Sequence, residues 1–285
     1  MRWQGGRSSS NVEDKRGMRL GPGLAAGGGL GAVVIALISM LLGADPREVL
    51  NGGGPATQQQ QQPNAPPAPG QDTAYDFVSK ILGSTEDVWG AEFQRQGMTY
   101  QQPKLDLFTN PVQSGCGTAS AEVGPFYCPR DHKVYLDLAF FRDLRERFQA
   151  PGEFAEAYVI AHEVGHHVQS QLGITQKVEE AVSRGDPREG AEGLSVRTEL
   201  QADCFAGIWA SKSEQRQHWL DTGDVESALA AATAIGDDRL QREARGTVVP
   251  ESFTHGTSAQ RVRWFRRGME SGDLRRCDTF QASSL

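Results

Sequence analysis

His162 and His166 stand four positions apart, with Glu163 beside the first, in the stretch AYVIAHEVGHHVQ at residues 157–169. On a helix that spacing sends both imidazoles to one face, where both can approach a single ion at about 2.0–2.1 Å. Glu163 points slightly aside, towards water held by such an ion, which is the His-Glu-x-x-His arrangement of zinc proteases. Ala157, Val159, Ile160, Val164 and Val168 give the helix apolar backing. Gly165 admits close approach of a neighbouring element, although a helical glycine costs about 1 kcal/mol. His167 points elsewhere and reads as a supporting or surface residue rather than a ligand.

Two histidines leave a catalytic zinc site one protein ligand short, since three are needed with one position kept for water. The stretch RTELQADCFAG at 197–207 offers Glu199 and Asp203, again four apart on one helical face. Alone, such a pair reads as a solvated helix surface. Beside a two-histidine helix it completes the set, with Glu199 as third ligand and Asp203 accepting an N–H from a ligating histidine. One zinc ion per chain is the cofactor this implies. Glu163 then takes a proton from zinc-activated water and passes it to the leaving amine of a peptide substrate. His255 and Arg261, in FTHGTSAQRVRWF, are candidates for a second electrophile. Each has a plainer reading, His255 as a loop residue and Arg261 as a salt-bridge partner.

These residues need helices to position them. The patterning predicts a motif helix over about 153–172, stopped by Gly173, and a second over about 195–210. A helix begun by Asp224 ends at Gly236, and TSAQRVRWFRRGMESG supplies the last. Upstream, TAYDFVSKILG and STEDVWGAEFQRQG read as two short helices, each closed by glycine, with Ser84 or Thr85 capping the second. KLDLFT alternates like a strand, residues 116–137 read as strand, turn, strand, and AFFRDLRERF returns to helical spacing. The expected fold class is α+β: a mainly helical, zincin-like domain with a small antiparallel sheet.

The 285 residues have room for one or two domains. A net charge of −7 argues against a nucleic-acid partner. Residues 20–44 carry no charge, and 30–43 are continuously apolar. About 25 residues at roughly 1.5 Å each cross a hydrocarbon core of about 30 Å. The expected organisation is a basic cytoplasmic tail over 1–19, a transmembrane anchor over 20–44, a flexible Gly/Gln/Pro linker over 45–72, and a folded domain over 73–285. The tail carries Arg2, Arg7, Lys15, Arg16 and Arg19, which places the amino end in the cytoplasm and the domain outside. The lipid bilayer is then a partner beside the peptide substrate.

Four cysteines, Cys116, Cys128, Cys204 and Cys277, include no CxxC pair, which excludes a zinc ribbon or finger. Outside the cytoplasm an even count suggests two disulfides, and four cysteines allow three connectivities. Cys116 and Cys128 are close enough to staple one hairpin, which leaves Cys204 with Cys277.

The ordered series MRWQGGRSSSNVEDKRG, the apolar span, GPFYCPRDHKVYLDLAFF, HEVGHHVQ, RTELQADCFAG, FTHGTSAQR and CDTF resembles the bacterial neutral zinc metallopeptidase family. The histidine motif with Glu-x-x-x-Asp downstream is similar, more distantly, to the Ste24-type gluzincins. That resemblance implies an endopeptidase of the inner membrane, with the downstream glutamate as third ligand. Arg197 stands two positions before Glu199, not three as in the Ste24 type, so no role carries over to it. The resemblance also implies a substrate-pairing edge strand, from GTASAEV or VYLDL. Glu163 argues against a catalytically silent scaffold, which has no need of a base there. Nothing marks a glycan surface for the other alternative, a cell-wall amidase.

Overall fold

The computed structural model describes residues 1–17, 72–109, 111–119 and 124–285. The expected membrane span and all of the linker except Asp72 lie outside the described residues. Among the described residues no helix is long and apolar enough to cross a membrane.

The chain enters the fold at once. Strand β1, Val12–Asp14, pairs in parallel with β2, Lys104–Phe108, in the register Val12↔Leu105 and Asp14↔Leu107. Trp3 is buried in the same core. The first sixteen residues are therefore part of the domain, not a separate tail. Their cations explain the difference: Arg2 pairs with Asp221, Arg7 with Glu86 and Asp87, Lys15 with Asp106, and Arg16 with Asp14 and Asp72. A basic composition that resembles a cytoplasmic flank is matched, residue by residue, by the acids of the domain.

Helix α1 runs unbroken over Thr73–Arg95, capped by the Asp72 carboxylate, where the sequence predicted two helices parted at Gly83. Gly83 does not end the helix. A Cβ there would lie 2.3 Å from the Arg7 carbonyl oxygen, so the glycine lets the N-terminal segment lie directly on α1.

After β2 come a small hairpin, β3 (Val112–Ser114) and β4 (Gly117–Ala119), then β5 (Phe126–Cys128) and β6 (Lys133–Asp137). The main sheet has the order β1-β2-β6-β5. Only β5 and β6 are antiparallel; the β1–β2 and β2–β6 pairs are parallel. The sheet is thus mixed rather than antiparallel, because β2 runs parallel to β6 and the N-terminal strand β1 adds a second parallel pair. VYLDL falls largely in β6, an interior strand with neighbours on both sides, so it cannot pair with substrate. GTASAEV supplies β4 of the separate hairpin, and residues 120–123 lie outside the described residues.

The helical layer comprises α2 (Ala139–Glu146), α3 (Glu153–Gln171), α4 (Ile174–Ser183), α5 (Leu194–Gln217), α6 (Asp224–Ala234), α7 (Asp237–Arg245) and α8 (Ser258–Ser271). α3 is buried nearly all round, and Gly173, at φ 71°, turns the chain after it. α8 opens with a capping box formed by Thr257 and Gln260. Together these elements give the mainly helical α+β fold, with α3 and α5 packed at its centre.

The two disulfides are Cys116–Cys128 and Cys204–Cys277. The first ties the β3–β4 turn to β5, and the second ties α5 to a short turn near the C-terminus.

Candidate metal centre

The two core helices bring three donors together. His162 and His166 face Glu199 of α5, and their ligand atoms lie within 4.8 Å of one another. His162 Nε2 is 3.1 Å from Glu199 Oε2, and His166 Nε2 is 3.4 Å from Glu199 Oε1. The close approach of α3 and α5 depends on Gly165: a Cβ there would lie 3.0 Å from the Ala202 carbonyl oxygen. Two imidazoles and a carboxylate are a donor set that fits zinc and leaves it a position for a further ligand.

Each histidine ligand is held from behind. Asp203, one turn after Glu199, is fully buried and lies 2.8 Å from His162 Nδ1. Arg261 of α8 donates to Asp203 from Nε at 3.0 Å and Nη2 at 2.9 Å, and Tyr158 donates its hydroxyl at 2.5 Å. Arg261 is itself 1% exposed, so its guanidinium is committed to Asp203 rather than free to meet an oxyanion. His166 Nδ1 lies 2.9 Å from Gln169 Oε1, and the Gln169 amide donates to the Thr198 carbonyl and to Gln201.

The charges reinforce this arrangement. Burial alone would lower the His162 pKa, but the charge and hydrogen bond of Asp203, with the hydrogen bond of Glu199, push it up to about 10. His166 is raised too, burial being outweighed by Glu199. Against its own burial, Glu199 is held well below the usual carboxylate range by His166 and His162. Asp203 is likewise lowered, with Arg261 and His162 overcoming burial.

Glu163 lines a cleft of about 1080 Å³ together with the three ligands, Tyr127 and His255. Among the described residues no side chain hydrogen-bonds its carboxylate. His255 is half-exposed at the cleft, and Asp237 fixes the loop that carries it. Asp237 Oδ2 accepts the backbone N–H groups of Thr254, His255 and Gly256 at 2.7, 2.6 and 3.0 Å. The Asp237 hydrogen bond also raises the His255 pKa above its ordinary value, burial notwithstanding.

His167 is buried, not at the surface. Its Nε2 lies 2.6 Å from the Gln101 carbonyl and its Nδ1 3.1 Å from the Tyr127 hydroxyl, on the side of α3 away from the ligands. Burial lowers its pKa to about 4. Arg197 clamps the C-terminal segment through the Thr279 and Ala282 carbonyls and Glu192.

Sequence reasoning missed Tyr158, Gln169 and Asp237. Tyr158 lies one turn before His162, a spacing that flags it as a same-face residue. Asp237, 18 residues before His255, leaves no pattern.

The chain matches the family model described as "Putative neutral zinc metallopeptidase" over residues 1–280. It belongs to that family. Among curated proteins, the uncharacterized protein YpfJ of Escherichia coli is 49% identical, covering 99% of this chain and all of its own. The uncharacterized protein Rv2575 of Mycobacterium tuberculosis is 42% identical, covering 87% of this chain and 86% of its own. No solved structure matches the chain.

Proposed function

We propose that this protein is a zinc-dependent endopeptidase, held at the bacterial inner membrane by its uncharged run at 20–44, with the folded domain outside the cytoplasm. Two disulfides suit an oxidising compartment. The observation that carries the peptidase reading is the Glu163 carboxylate: it faces the cleft beside the His162–His166–Glu199 cluster, with no described side chain engaging it. A purely structural or metal-storing helix has no use for such a base.

Zinc, when bound by His162, His166 and Glu199, supplies a Lewis acid and lowers the pKa of water towards 7. Glu163 accepts the proton of the attacking water and returns it to the leaving amine. His255, steadied by Asp237, donates to the developing oxyanion from the cleft wall. Asp203, Tyr158 and Arg261 hold the His162 ring in the tautomer whose Nε2 faces the ligand cluster. An extended substrate runs along β5, the free edge of the main sheet, whose Phe126 and Tyr127 line the cleft.

Glu163→Gln is expected to retain one zinc per chain by metal analysis while hydrolysis of a mixed peptide library falls about 10²–10⁴-fold. Unchanged turnover would end the proposal.

A further inference from the structure

The N-terminal residues form an arrangement that the zinc chemistry does not use. Trp3 packs edge-on against Phe77 of α1, with ring centroids 5.3 Å apart. Glu86, 2% exposed inside α1, accepts hydrogen bonds from Arg7 Nη2 at 2.7 Å, Ser9 Oγ at 2.5 Å and Asn11 Nδ2 at 2.7 Å. Every hydrogen-bond partner of that buried carboxylate, among the described residues, comes from the first eleven positions. β1 then covers the edge of β2, and Lys104 and Lys133 both reach Glu13 on it. At the end of the segment Arg16 Nη2 lies 2.5 Å from Asp72 Oδ2. The chain therefore leaves the domain at residue 17 and re-enters it at 72, at the same place.

We infer that residues 1–17 and 72–285 lie on one side of the membrane. The inference rests on the proposed membrane attachment of the uncharged run at 20–44. A single crossing would set Trp3, Arg7 and β1 a hydrocarbon thickness, about 30 Å, from Phe77, Glu86 and β2. It would strip Glu86 of the hydrogen bonds from Arg7, Ser9 and Asn11 and expose the β2 edge. The N-terminal cations offer no counter-argument, because Arg2, Arg7, Lys15 and Arg16 are paired with carboxylates of the domain. The 25 uncharged residues at 20–44 are too few for two crossings of about 20 each. The polar residues that follow, rich in glutamine and proline, offer no second span.

The test uses the full-length chain in its host membrane. Ser8→Cys and Ser283→Cys each add one exposed thiol to a chain whose native cysteines are paired. A membrane-impermeant maleimide is expected to label both in intact spheroplasts; labelling of both only after permeabilisation would keep the sidedness and overturn the extracytoplasmic placement. One thiol labelled from outside and the other only after lysis would overturn the sidedness. Membrane attachment is read separately. Replacing 18–71 by a Gly/Ser linker of about six residues is expected to move the protein from the membrane pellet to the soluble fraction with its Tm kept within about 3 °C. A full-length chain already soluble before that replacement would overturn the attachment while leaving the labelling comparison intact. Trp3→Ala is expected to lower Tm by about 10 °C. An unchanged Tm would show that the segment is not part of the fold.

Discussion

Asp203 sets the orientation of a ligand without facing the ion itself. Its carboxylate lies against His162 Nδ1 and holds Arg261, both inside the core. Asp203→Asn keeps the shape and an acceptor for His162 but removes the charge that makes the ring basic and that balances Arg261. Zinc affinity is expected to fall about 10–100-fold, measured by competition with a chelating dye, and Tm is expected to fall with it. An unaltered zinc Kd would mean that His162 is oriented by packing alone. At this scale the site was legible where chemistry repeats within one helix. His162, Glu163 and His166 occupy less than two turns, and Glu199 and Asp203 obey the same four-residue period. Tyr158 was legible only as a same-face neighbour of His162 and Asp237 not at all, because their partners stand 45 and 18 residues away. Arg261 was read either as an oxyanion candidate or as a salt-bridge partner, and its burial against Asp203 supports the second reading.

Among the elements, α5 carries the third ligand, and a disulfide fastens it to the C-terminal turn. Cys204 and Cys277 are separated by 73 residues, and the Gln201 amide also donates to the Cys277 carbonyl at 3.0 Å. Closing a loop of that length restricts the unfolded chain by about 4 kcal/mol. Cys204→Ser with Cys277→Ser is therefore expected to lower Tm by roughly 8–16 °C. Catalysis per folded molecule should persist, because Glu199 and Asp203 remain held by α3 and α8. Loss of activity at temperatures where circular dichroism shows the helices intact would contradict this. Helix periodicity was readable for α3, α5 and α8, whose apolar faces meet one another. It misled at Gly83, where a glycine read as a helix stop is a contact surface for a segment 76 residues away. The sheet was the least legible part, since the order β1-β2-β6-β5 depends on a three-residue strand from outside the expected domain.

For the whole molecule, the metal centre is built on a core that stands without metal: burial, two disulfides and the Asp203–Arg261 pair already hold α3, α5 and α8 together. Removing zinc should lower Tm while leaving the far-ultraviolet circular dichroism unchanged, unlike a zinc finger, which unfolds. The size of that loss depends on pH in a direction fixed by the histidines. In the metal-free chain His162 is raised from about 6.5 to about 10 and His166 is raised as well. A raised folded-state pKa contributes stability that is complete below the unfolded value and is lost as pH climbs through the folded value. The metal-free chain therefore weakens between about pH 6.5 and 10. Over the same range protons stop competing for Nε2 of both histidines, so zinc binds more tightly. These are one linkage, since the protons that zinc displaces are the ones whose binding stabilises the metal-free chain. The Tm increase on adding saturating zinc to chelator-stripped protein should be smallest near pH 6 and grow steadily towards pH 9, read by differential scanning fluorimetry at constant ionic strength. Glu199 and Asp203 are lowered, so their contribution fades only below about pH 4.5 and leaves this window untouched. A zinc-induced increase that stayed flat from pH 6 to 9 would mean that His162 and His166 carry no extra proton in the free protein, or do not bind the ion.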